Sequence, residues 1–163
     1  MRFDLKRLSP EAVPAALSKA ERYRLLNEPR EAESICLDVL EREPDNQEAL
    51  KMLLLALTDQ FNEGEPALAL AEARKIPGQL RDEYERLYFS GIICERQARL
   101  RLRDSGAFEL LREAMRLYER AEAIRPPGND EALLRWNTCA RLIMRDRHLV
   151  PHVDEPGEPI VAE

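Results

Sequence analysis

Two stretches of the sequence carry the same ladder of side chains. In the first, Ala32, Cys36, Val39 and Pro44 are separated by steps of four, three and five residues; in the second, Ala114, Tyr118, Ala121 and Pro126 repeat those steps. Steps of four and three keep side chains on one face of an α-helix, and a proline just beyond them lacks the backbone N–H that the helix would need to continue. Each stretch therefore describes a helix that meets a neighbour closely at its small residues and stops at a fixed place. Recurrence of such a unit is the signature of stacked helical hairpins, which bury their apolar faces only against one another.

The rest of the chain agrees with an all-α fold. It has only 6 glycines, and its 44% hydrophobic and 34% charged residues form a mixture that favours helix over sheet. Residues 1–9 read as a short leader. Helical periodicity then runs over about 14–27, 29–43, 46–61, 65–75, 80–103, 107–124 and 130–146, with breaks at Asn27-Glu28-Pro29, Pro44-Asp45-Asn46, Asn62-Glu63-Gly64, Ile76-Pro77-Gly78, Asp104-Ser105-Gly106 and the run Arg125–Asp130. The third helix, with ALKMLLLALTDQF, is the most apolar and is expected to be buried on two sides. The fifth is the longest, spanning Leu80 to Arg103 at about 36 Å for a rise of 1.5 Å per residue. Residues 10–146 thus form one helical domain, and 147–163, rich in proline and acid, are expected to be a disordered tail whose removal from residue 149 leaves the fold intact.

Spacing and residue type together resemble the tetratricopeptide repeat (TPR) family. Ala20, Tyr23, Ala32, Cys36, Val39 and Pro44 match a first repeat over about 13–46. Leu53, Leu54, Leu57, Leu70, Ala73 and Pro77 match a second over about 47–80, and Tyr84, Leu87, Ala114, Tyr118, Ala121 and Pro126 a third over about 81–126. Two departures stand out. The Trp and Leu-Gly signature of the first helix of each repeat is mostly missing, and Pro77 to Pro126 is about 15 residues longer than one repeat. The resemblance implies a TPR-like solenoid of about three repeats, with the seventh helix as its C-terminal cap and the sole tryptophan, Trp136, packing that cap onto helix six or serving as an exposed contact.

TPR arrays bind a peptide or helix along the face lined by the first helix of each repeat. The resemblance places on that face Leu17, Glu21 and Arg24, then Lys51, Leu55 and Asp59, then Glu85, Phe89, Ile92 and Arg96; Phe89 and Ile92 would otherwise be core. The clamp for a C-terminal carboxylate found in one TPR subset is not matched, since Leu17, Glu21 and Met52 occupy its positions. Arg96, Arg99 and Arg103 recur at helical spacing within RQARLRLR. They are expected either to pair with Glu109 and Glu113 of the next helix or to offer a stripe to an acidic segment of a partner.

Other chemistries find little support. His148 and His152 are four apart, but Pro151 interrupts any helix that could bring both to a metal. Neither histidine lies near a serine or cysteine nucleophile, no glycine-rich phosphate loop occurs, and pairs such as Glu41 and Glu43 read as solvated surface. Cys36, Cys94 and Cys139 are scattered and are read as buried thiols. A net charge of -6 argues against nucleic acid, and no stretch reaches the ~18 apolar residues of a membrane span. The expectation is a non-enzymatic cytoplasmic protein of bacterial type, without cofactor or metal: a scaffold that binds another protein or, alternatively, a small sensor whose groove takes a peptide or metabolite.

Overall fold

Local chemistry starts and stops each helix. In the computed structural model, which describes residues 3–104 and 106–151, the helices are α1 (Val13–Leu25), α2 (Pro29–Arg42), α3 (Gln47–Asp59), α4 (Pro66–Lys75), α5 (Glu83–Leu100), α6 (Ala107–Ala123) and α7 (Glu131–Arg145). No strand occurs among the described residues, so the chain is all-α. Pro29 and Pro66 open α2 and α4 at the position where a missing N–H costs nothing. The side chains of Asn46 and Asp82 accept the orphan N–H groups of Ala49 and Glu85, each at 2.9 Å, and cap α3 and α5. At the end of α1, Asn27 adopts the left-handed conformation (φ 61°), which lets the Glu28 N–H reach Tyr23 O at 2.9 Å and the Asn27 N–H reach Arg24 O at 3.0 Å. That double bond is a Schellman closure, and it turns the chain directly into α2.

Successive helices pack against one another along the chain, and α1 also touches α3, while α3 touches α5. The ladder residues Ala32, Cys36, Val39, Ala114, Tyr118 and Ala121 are all fully buried. As its composition requires, α3 is covered on two sides, burying Ala49, Leu50, Leu53, Leu54, Ala56, Leu57 and Thr58. One apolar cluster joins α1–α4 to the near side of α5 through Phe89, Ile92 and Ile93. A second joins the other side of α5 to α6 and α7. Trp136 packs against this second cluster and donates its indole N–H to Glu119 at 2.8 Å.

Two boundaries differ from the sequence reading. Helix α5 has 18 residues rather than ~24, about 27 Å instead of 36 Å. At its start, Pro77–Gln79 form a short 3-10 turn and Leu80 is extended and buried, so the Asp82 cap sets the first residue. At its end, the Asp104 N–H bonds Arg101 O at 2.8 Å and the Asp104 carboxylate takes the Arg101 guanidinium at 3.1 Å, closing a turn where the helix would have continued. The second difference follows α7. Leu149, assigned above to the tail, is buried in the second cluster, so deletion from residue 149 would remove a core side chain. His152 and the remainder of the expected tail, 152–163, lie outside the described residues.

Candidate functional site

Because α3 adjoins both α1 and α5, groups 34 or 35 residues apart in sequence meet across these elements. The Arg81 N–H donates to Gln47 Oε1 (2.9 Å), Lys51 Nζ donates to Glu85 Oε1 (2.7 Å) and Arg24 Nε donates to Asp59 Oδ2 (2.6 Å), over sequence separations of 34, 34 and 35 residues. Asp59 reaches in the other direction as well, with its second oxygen 3.3 Å from Arg96 Nη1 on α5. One carboxylate on the middle helix thus ties together three helices.

Lys51 is held by two acids, Glu85 and, within its own helix, Glu48 at 2.6 Å. Burial works against its ammonium, but the hydrogen bonds to Glu48 and Glu85 prevail and raise its pKa above the ordinary lysine value. Lys51 therefore stays charged at neutral pH, and this rung persists there.

A further polar group lies where α5, α6 and α7 converge. Glu95 is fully buried, and its carboxylate takes the Tyr118 hydroxyl at 2.8 Å, Arg99 at 3.0 and 3.1 Å and Arg135 at 3.4 Å. Burial, and then the Glu95 charge, push the Tyr118 pKa far up, so its hydroxyl remains a donor. For Arg135, burial opposes the charge but Glu95 outweighs it and raises the pKa. Tyr88 and Tyr84 extend the contact toward the start of α7, bonding Glu131 at 3.4 Å and Asn129 at 3.1 Å. Gly91 makes room for this arrangement, since a Cβ there would sit 2.5 Å from the Tyr118 ring. Among the described residues no buried side-chain nitrogen or oxygen lacks a hydrogen-bond partner.

The residues predicted to line the groove divide into four groups. Arg24, Lys51, Asp59, Glu85 and Arg96 are brought together as the ion-paired rungs. Glu21 is exposed on α1, one turn before Arg24, and Leu55 is half-buried against the first core. Phe89 and Ile92 are core, because α5 is covered from both sides, and Leu17 packs against the small cluster of Val13, Val39 and Ala49. The arginine stripe is shorter than expected: Arg103 is exposed in the turn after α5 ends, while within α5 Arg96 reaches Asp59 and Arg99, one turn on, reaches Glu95. Nor do Glu109 and Glu113 take these arginines; Glu113 pairs with Arg116 of its own helix at 2.6 Å.

Glu95 and Arg135 were not anticipated. The sequence did hold a signal, for Gly91, Glu95, Ala98 and Leu102 recur at steps of four, three and four, placing a carboxylate on an apolar line. Cys36 and Cys139 have thiols pushed up to about 12, chiefly by burial, and burial raises Cys94 as well. Such thiols are poor nucleophiles. A cleft of about 630 Å³ beside the turn after α3 offers Arg30, Gln60 and four glutamates but no Ser, Cys or His. No group of three potential metal ligands occurs among the described residues, and no helix there is long and apolar enough to cross a membrane. Comparison of the chain with protein families, curated proteins and solved structures finds no match.

Proposed function

We propose that this protein is a non-catalytic scaffold or adaptor of TPR-like build, which holds a segment of another protein along the face shared by α1, α3 and α5. The observation that carries the reading is the register of the cross-helix bonds. Gln47 with Arg81, Lys51 with Glu85 and Arg24 with Asp59 join positions 34 or 35 residues apart, close to one TPR unit. A surface whose side chains are fixed by such bonds loses little conformational freedom on binding, which suits recognition of an extended chain. Free thiols at Cys36, Cys94 and Cys139 fit the reducing conditions of a cytoplasm, the compartment favoured by this reading.

Site-specific photo-crosslinking in cells tests the proposal. A benzophenone amino acid at Glu21, exposed on α1, should capture a defined protein, whereas one at Arg120, exposed on α6, should not. Capture of a defined protein from Arg120 and none from Glu21 would overturn the assignment of the face.

A further inference from the structure

The ion-paired face is uneven in charge. At one end Lys51 lies between Glu48 and Glu85. Toward the C-terminal ends of α1 and α3, four arginines surround two carboxylates: Arg24 and Arg96 on Asp59, and Arg99 and Arg135 on Glu95. The two groups are contiguous, because Arg96 and Arg99 lie one turn apart on α5. The carboxylates are underneath, with side-chain exposures of 17% for Asp59 and 0% for Glu95, while the four arginine side chains are 20–40% exposed. This end of the face therefore presents guanidinium groups to solvent in a chain whose net charge is -6. Each guanidinium has five N–H donors, and the internal bonds leave most of them unspent.

Resting on the scaffold reading above, we infer that this transverse arginine row is where the partner is gripped, and that it grips an acidic stretch of polypeptide through its side-chain carboxylates. The row replaces the stripe expected along α5: Arg103 drops out, and Arg24 and Arg135 from flanking helices take part. Planar guanidiniums already oriented by buried acids can take a second carboxylate with paired hydrogen bonds. Glu21 and Glu131 border the row on α1 and α7, so the polypeptide's acids should be confined to the arginine end.

The test follows the fluorescence anisotropy of a labelled all-glutamate peptide of about ten residues, and of its all-glutamine counterpart, on adding the whole protein. The glutamate peptide should bind and the glutamine peptide should not, and raising NaCl from about 50 to about 300 mM should weaken binding at least about tenfold. The Arg24→Gln/Arg96→Gln/Arg99→Gln variant should lose at least about tenfold, whereas Arg42→Gln/Arg116→Gln/Arg120→Gln, with the same loss of charge on α2 and α6, should stay within about twofold. Should the first variant fail to fold, Arg99→Gln alone, at the most exposed of the four, should lose at least about threefold. Absence of binding, or equal losses in both triple variants, overturns the inference. So does equally tight binding of an oligodeoxynucleotide, or displacement of the peptide by millimolar inorganic phosphate. Continued photo-capture from Glu21 alongside any of these failures would leave the scaffold reading standing and remove only the acidic partner.

Discussion

The two halves of the molecule solve the same packing problem with different materials. From α1 to α4 the helices are 10–14 residues long, and their contacts are mainly apolar, through Ala20, Ala32, Cys36, Leu54 and Ala73, with only the uncharged Thr58 and Gln60 as buried polar side chains. From α5 to α6 the helices are 18 and 17 residues long, and their contact encloses Glu95 beside the Tyr118 hydroxyl, with Arg135 reaching in from α7. Aliphatic contacts are non-directional and tolerate small rotations of one helix on another. A buried carboxylate fixes rotation and register, since any shift that strands it forfeits its compensation. The longer hairpin would otherwise have more ways to slide, and the polar group selects one of them.

The largest expected effect is at the polar centre itself. Glu95→Ala leaves Arg135 and Tyr118 without their acceptor and should cost about 3–5 kcal/mol, visible in chemical denaturation. Leu54→Ala in the aliphatic half should cost a similar 2–5 kcal/mol by opening a cavity, yet should leave the α6–α7 signals in an NMR spectrum in place. Gly91→Ala comes next. In an exposed helix that change would gain about 1 kcal/mol, but here the new methyl meets the Tyr118 ring and should destabilise by about 1–3 kcal/mol. Ala32→Leu and Ala121→Leu, one ladder residue in each half, should also each lose about 1–3 kcal/mol by overpacking. A melting temperature for either variant at or above wild type would mean that its helices do not approach as described.

Smaller effects come from the partly exposed rungs and from alkaline pH. Asp59→Asn keeps the shape and removes the charge that joins Arg24 to Arg96, so the loss should stay below about 1 kcal/mol. Cys36 and Cys139 hold their protons to about pH 12 in the fold, whereas their reference value is 9.0. The unfolded chain thus releases protons that the folded chain keeps. Stability contributed by the neutral thiols is complete below about pH 9 and declines as pH rises toward 12. Melting followed between these values should show the decline, and Cys36→Ala/Cys139→Ala should flatten it.

Much of the fold was legible because it depends on local rules. The positions of Asn27, Pro29, Pro44 and Pro66 alone separate the first four helices, and the two ladders mark fully buried positions. What escaped depends on tertiary context. The end of α5 is the exception, being local: Asp104 folds back on Arg101, three residues earlier, where the helical periodicity of RQARLRLR by itself runs on. For the candidate face, Arg24, Lys51, Asp59, Glu85 and Arg96 meet because α3 lies beside both α1 and α5. Phe89 and Ile92 went to the core because α5 has neighbours on both sides. Arg135 was missed because its partner is 40 residues away on another helix, and no spacing rule connects them.

A double-mutant cycle on Glu95→Gln and Tyr118→Phe measures the central difference between the halves most directly. Glutamine keeps the shape and removes the charge; phenylalanine keeps the ring and removes the donor. If the pair acts as one polar group that sets the α5–α6 register, the double mutant should depart from the sum of the single effects by at least about 0.5 kcal/mol, within the 0.5–3 kcal/mol seen for residues in contact. The same cycle on Leu54→Val and Cys36→Ala gives the reference for the aliphatic half. Additive effects at Glu95 and Tyr118 would contradict the account, because the longer hairpin would then be held by apolar packing like the rest.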